Sequence, residues 1–214
     1  MCSKTEQRRE SFASLLGGRT AAIDASLPPV GFVIGWLASC QSIEIGAASA
    51  IGLALVIAVL RLIRKEKPRA VIVSVALVVI AALIALHTGR AADFFLLQLL
   101  SNAASALAWL ASIVVRWPFL GIIVGVVLGQ KTRWRKDPAL VRAYCLASLV
   151  WVAQYLLRIA VYVPLWLADE TVALGIARLA LSWPVQVVCL ALSWLVFQRV
   201  LPREHPGIRH PVTG

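Results

Sequence analysis

Two arginines occupy places where an arginine is costly. Arg158 lies inside the apolar stretch "WVAQYLLRIAVYVPLWLA", Trp151 to Ala168, and Arg178 lies in the next apolar run, seven residues beyond Thr171. A guanidinium at mid-span costs about 2.5–3.5 kcal/mol even on the lenient insertion scale. On a helical wheel of 100° per residue, Arg158 joins Tyr144, Ser148, Trp151, Gln154, Tyr155 and Tyr162 on one stripe of an otherwise aliphatic rod. Arg178 shares a face with Thr171, Gly175, Ser182, Gln186, Cys189 and Ser193. A third stripe holds Gln98, Ser101, Asn102, Ser105, Trp109, Ser112 and Arg116. In hydrocarbon, unsatisfied polar groups cost several kcal/mol, so such stripes turn toward one another.

Guanidinium, amide and phenol groups together suit recognition of an anion. A ligand site for a carboxylate, phosphate or lipid headgroup would use Arg158, Arg178, Gln154, Tyr155, Asn102 and Gln98. The spans carry no acidic residue on these stripes, which favours an external anion as the partner. The competing reading has the arginines reach the outer interface or pair with Asp169, Glu170 or Asp93. His87 and Asp93 flank an outer loop, "HTGRAADFF", and are the residues placed to form a His–carboxylate pair there.

Catalytic signatures are absent from the sequence: it has no HExxH, GxSxG, phosphate-binding loop or clustered acidic motif. Cys2, Cys40, Cys145 and Cys189 are scattered and form no CxxC pair, so neither a metal site nor a disulfide framework is expected. No cofactor is implied, and the balance leans away from an enzyme.

The elements that carry these residues follow from composition. Of 214 residues, 60% are hydrophobic and 14% charged, well below the quarter usual for a soluble domain. Apolar segments run at about 27–41, 45–63, 69–87, 94–115, 117–129, 139–168 and 171–198. Several match the roughly 20 residues that cross a bilayer core. The reading is an all-α, polytopic transmembrane bundle. Residues 1–26 form a polar leader holding an amphipathic surface helix, 27–198 the bundle and 199–214 a disordered tail.

Charge placement sets the number of crossings. Basic residues gather in the leader (Lys4, Arg8, Arg9, Arg19), in the Arg61–Arg69 loop, in the Lys131–Arg142 loop and in the tail. The net charge of +11 is therefore a positive-inside signal rather than a nucleic-acid surface. Six spans put every basic loop on the cytoplasmic side, with both termini there too. Segment 117–129 begins "RWP" and is too short to cross, so it should be a re-entrant or interfacial half-helix. Its Gly121, Gly125 and Gly129 have the small-xxx-small spacing of close helix packing.

Four stretches carry a family resemblance: "GGRTAAIDASLPPVGFVIGW", "LRLIRKEKPRAVIVS", "HTGRAADFFLLQLLSNAASALAWLASIVVRWPFLGIIVG" and "TRWRKDPALVRAYCLASLVWVAQYLLRIAVYVPLWLA". Over about Leu16–Phe197 the chain resembles an actinobacterial family of integral membrane proteins classed as a domain of unknown function. That resemblance implies a bundle in a bacterial inner (cytoplasmic) membrane and brings no catalytic residue with it. In layout the chain is also similar to the intracellular septation protein A family, which is linked to cell division and envelope upkeep; it departs in Arg158 and in the longer leader.

Two functions are consistent with these features. One is a non-enzymatic envelope scaffold or partner-binding subunit, working with a second copy or another membrane protein. The other is a carrier or binding protein for an anionic solute or lipid headgroup. In both the lipid bilayer is the first partner.

Overall fold

A computed structural model describes residues 18–66, 68–129 and 132–201, with side chains from Ser26 onward. The first part of the leader and the tail with His205 and His210 lie outside the described residues. Among those described, the regular elements are all helical.

Helices α1 (Gly18–Ala38), α2 (Ile43–Ile63) and α3 (Pro68–Thr88) follow one another through short turns. A 3₁₀ segment, Ala91–Phe95, leads into α4 (Leu96–Val114), followed by the short α5 (Phe119–Val127). A second 3₁₀ turn, Arg133–Lys136, precedes α6 (Pro138–Leu167). Helices α7 (Thr171–Ala180) and α8 (Trp183–Val200) end the described chain. Among the described residues, five stretches are long and apolar enough to cross a membrane: Ile43–Ile63, Pro68–Thr88, Ala91–Val114, Pro138–Leu167 and Thr171–Val200. Ser26–Ala38 is a shorter apolar helix. The protein is an all-α, multi-pass membrane protein.

Two boundaries differ from the sequence reading. Pro28 and Pro29 do not open the first helix but lie inside it, because α1 begins at Gly18. The last apolar segment is not one continuous helix; it breaks at Leu181–Ser182. Pro184 explains the break. It lacks the amide that would bond the carbonyl of Ala180, and its ring disfavours helical geometry in the residue before it.

The helices group into two compact units. One takes the chain up to Leu96 together with Asp169–Gly175, and the other takes Leu97–Ala168 and the chain from Ile176 onward.

The first unit is built on small residues. Gly31 and Gly35 of α1 face Ser49 and Leu53 of α2, and Gly46 of α2 faces Phe32 and Trp36 of α1. A Cβ on Gly35 would stand 2.8 Å from the Ser49 Cβ, and one on Gly46 would stand 3.1 Å from the Trp36 Cβ. The Ser49 hydroxyl lies 2.7 Å from the Gly31 carbonyl and donates to it across the seam. This is close helix approach of the glycine-xxx-glycine kind, with a hydroxyl bonding backbone where no side chain intervenes. The helix α3 buries Val71, Ala81, Ala82 and Ala85, while Ile72, Val73, Leu77, Ile80 and Leu83 stay exposed, as a lipid-facing helix does. Phe32 stacks on Phe94, with ring centroids 4.1 Å apart. Gly175 admits Val33 of α1, whose Cγ2 lies 3.0 Å from the position of a Cβ.

The second unit is built on aromatic rings. Trp134 meets Tyr144 edge-on at 5.4 Å, and Tyr144 meets Phe197 at 5.0 Å. Trp109 stacks flat on Trp151 at 5.2 Å and meets Phe119 edge-on at 5.6 Å. Asp137 caps α6 by accepting from the amides of Ala139 and Leu140, and Pro138 fits the first helical position.

Candidate functional site

Within the second unit, Arg158 points at backbone. Its Nε donates to the Leu181 carbonyl at 3.0 Å. Its Nη2 donates to the Ser182 carbonyl at 3.3 Å and approaches the Gln186 Oε1 at 3.4 Å. The Leu181 carbonyl lies just past the end of α7 and accepts from no backbone amide among the described residues, while the Ser182 carbonyl, at the start of α8, also accepts from the Gln186 amide at 3.3 Å. A helix C-terminus carries about half a negative charge on carbonyls that lack amide partners. The guanidinium therefore meets a dipole rather than an anion. Its fork of fixed N–H donors suits two adjacent carbonyls better than an ammonium would. The Arg158 guanidinium carbon also lies 5.8 Å from the Tyr155 ring centroid, at the outer limit of a cation–π contact.

Arg178 differs. It is half-buried and, among the described residues, makes no hydrogen bond or ion pair. Tyr162 is buried and lies within electrostatic reach of both Arg158 and Arg178. Asp137 is the single carboxylate among the described residues of this unit, and it sits at the opposite end of α6 from Arg158.

Gln154, one turn before Arg158 on the same face, is buried, and neither its Oε1 nor its Nε2 has a hydrogen-bond partner. The hydroxyls of Tyr144 and Ser148, further back along the stripe, are buried and unpartnered as well. Trp151 uses its indole N–H on the Ser193 hydroxyl at 3.1 Å. Asn102 is buried but turns its amide back to the Gln98 carbonyl at 2.9 Å, bonding within its own helix. Thus Arg158, Tyr155 and Gln154 are grouped with Gln186 and Tyr162, whereas Asn102 and Gln98 make no hydrogen bond to the arginines.

The remaining sequence candidates fall elsewhere. In the first unit, His87 is exposed and does not pair with Asp93; the Asp93 carboxylate lies 3.9 Å from Arg90 instead. Arg90 also reaches Asp169 at 3.7 Å. The chain turns at Gly89, so His87 stays on α3 while Arg90 follows the turn toward Asp93. In the second unit, Gly121 and Gly125 are buried, and a Cβ on Gly121 would stand 2.9 Å from the Trp134 ring. Gly129 closes the turn after α5 at φ +68° with open space around it.

Gln186 and the carbonyls of Leu181 and Ser182 are the partners that sequence reasoning missed. Their signal was Pro184 in "LSWP", which ends a helix two or three residues before it.

Arrangement and sequence agree on the class of molecule, and a family comparison adds a membership. The model of the family described as "Protein of unknown function (DUF3159)" matches residues 16–204. The chain belongs to the DUF3159 family. No curated protein and no solved structure matches it. The family description assigns no activity, so function rests on the geometry.

Proposed function

We propose that this DUF3159 member is a non-enzymatic membrane scaffold or partner-binding subunit. The observation that carries this reading is the use of Arg158: this cation, well inside the long α6 span, is turned onto the protein's own broken helix. A charge that closes the backbone at Leu181 and Ser182 holds architecture and leaves its Nε and Nη2 donors unavailable to a solute. The proposal includes six crossings of a bacterial inner membrane with both termini cytoplasmic. Support comes from the five long spans plus Ser26–Ala38, and from the basic loops on one side of such a topology. Reporter fusions after Glu66, Gly89, Gly129 and Asp169 test it: each should report the side opposite to the one before, and Gly89 and Gly129 on the same side would mean that α5 crosses.

The test of the scaffold reading is thermal unfolding in detergent. Arg158→Gln should lower the midpoint without changing any response to added anions, and wild type should gain no stability from phosphate, citrate or nucleotide. A midpoint raised by one of these anions in wild type, and not in Arg158→Gln, would end the scaffold reading.

A second reading, an anion-holding protein, is favoured by a separate observation. Among the described residues, Arg178 has no acidic or hydrogen-bonding partner, and both amide atoms of Gln154 are buried without one. Arg178, Tyr162 and Gln154 would then contact the anion, with Arg158 and Tyr155 framing it; Asn102 and Gln98 would join only by leaving their present bond. Native mass spectrometry decides: a retained anionic species lost in Arg178→Gln supports it, and an empty protein rejects it.

A further inference from the structure

A different place in the second unit combines a cleft with unpaired charge. Between α6 and α8 lies a cleft of about 390 Å³, lined by Leu146, Leu195, Val196, Val200 and Arg199. The volume lies in the range of small-molecule sites. Four of the five lining side chains are aliphatic and one is a guanidinium. Arg142 lies one helical turn before Leu146 on the same face of α6, and the contact of Tyr144 with Phe197 puts this end of α6 beside the end of α8 that carries Arg199. Both arginines are exposed, and neither has an ion-pair or hydrogen-bond partner among the described residues.

The surroundings offer no compensating charge. This end of the unit also carries exposed Arg133, Arg135 and Lys136. Its single described carboxylate, Asp137, is buried and occupied with capping α6. The aliphatic walls lie along the spanning helices, and the arginines sit near the start of α6 and the end of α8, where a headgroup would lie. An apolar slot that ends in two unpaired guanidiniums matches one kind of molecule: an acyl chain attached to a phosphodiester.

We propose that the α6–α8 cleft is a binding site for an anionic glycerophospholipid, its acyl chain along Leu146, Leu195, Val196 and Val200 and its phosphate between Arg142 and Arg199. The site is separate from the Arg158 cluster and does not depend on either reading above. A basic residue near a membrane surface contributes about fivefold to binding of an anionic headgroup, and an adjacent pair on one phosphate about twenty-fivefold.

The experiment uses the full chain, purified and stripped of lipid in a neutral detergent. Dioctanoyl phosphatidylglycerol, dioctanoyl phosphatidylcholine and inorganic phosphate are titrated while the unfolding midpoint is followed. The proposal expects saturable stabilisation by phosphatidylglycerol at least tenfold tighter than by phosphatidylcholine, and none by phosphate. Arg142→Gln with Arg199→Gln should remove that preference. Leu195→Trp, which fills the cleft and leaves both arginines in place, should remove it too. Arg133→Gln with Arg135→Gln should keep it. Equal stabilisation by the two lipids overturns the proposal, as does an equal response to inorganic phosphate. A preference that survives Leu195→Trp overturns the cleft as its location.

Discussion

The two units solve the same problem in opposite ways. The first brings helices together by removing side chains: Gly31, Gly35 and Gly46 let backbone approach backbone, and the Ser49 hydroxyl bonds the Gly31 carbonyl. The second keeps helices apart with rings and long polar side chains, then satisfies only part of what it buries. Trp134 Nε1, Tyr144 Oη, Ser148 Oγ and both amide atoms of Gln154 are buried there without partners. In the first unit the matching orphan is the Thr171 hydroxyl. The difference teaches where function is to be sought. Dispersion and small residues make a seam that asks for nothing further, whereas buried polar groups without partners cost free energy and call for a ligand, a water or a reason.

The sharpest way to break the comparison is in the glycine seam. Gly35→Leu should cost about 3 kcal/mol, since the new side chain meets Ser49 and the Ile45 carbonyl with no flexible tip to yield. The check is an unfolding titration of the purified protein. A loss below 1 kcal/mol would mean that the α1–α2 seam is looser than drawn.

Next come the two arginines of the second unit, compared with each other. Arg158→Gln should cost about 2 kcal/mol, because it strips the Leu181 and Ser182 carbonyls of their charged donor. Arg178→Gln, which breaks no hydrogen bond among the described residues and removes an unpaired cation, should not lower stability and should raise it by about 1 kcal/mol. Equal effects would erase the distinction between a helix-closing cation and an unpartnered one.

Gln154→Leu is a smaller effect with an informative sign. It replaces an orphaned amide by an apolar group of similar volume, so the ligand-free protein should gain about 1 kcal/mol. A loss of stability instead would show that the amide has a partner in solution. Gly89→Ala is an effect of the same size with the opposite sign. Its cost of about 1 kcal/mol comes from the left-handed backbone alone, because nothing stands within 4 Å of the added carbon. Hydrogen exchange of the following turn should report it.

Much of the fold is legible along the chain. Span lengths, the break before "WPFLG", the aspartate–proline start of α6 and the apolar third helix all follow from periodicity, proline and capping rules, which act between neighbours in sequence. Less of the site is legible. The wheel placed Arg158 with Gln154, Tyr155 and Tyr162, and these do share a region. It also placed Gln98 and Asn102 on a stripe of the same kind, yet Asn102 bonds its own helix. A wheel gives the face a residue lies on, not the neighbour that face meets. The small-residue pattern was read in only one of two places: Gly121 is packed closely against the Trp134 ring, and "GFVIG" in α1, which was overlooked, makes a second close seam against α2.

By itself the sequence determined that this is a multi-pass helical membrane protein with two costly cations in its spans. It also held the proline that breaks the last segment. Only the tertiary structure decided that the first of those cations meets the Leu181 and Ser182 carbonyls at that break, 23 and 24 residues further along the chain. The physical reason is range. Helix formation and helix breaking are local events, written in adjacent residues. The choice of which donor reaches a freed carbonyl depends on how two helices pack, and no spacing along one chain encodes it.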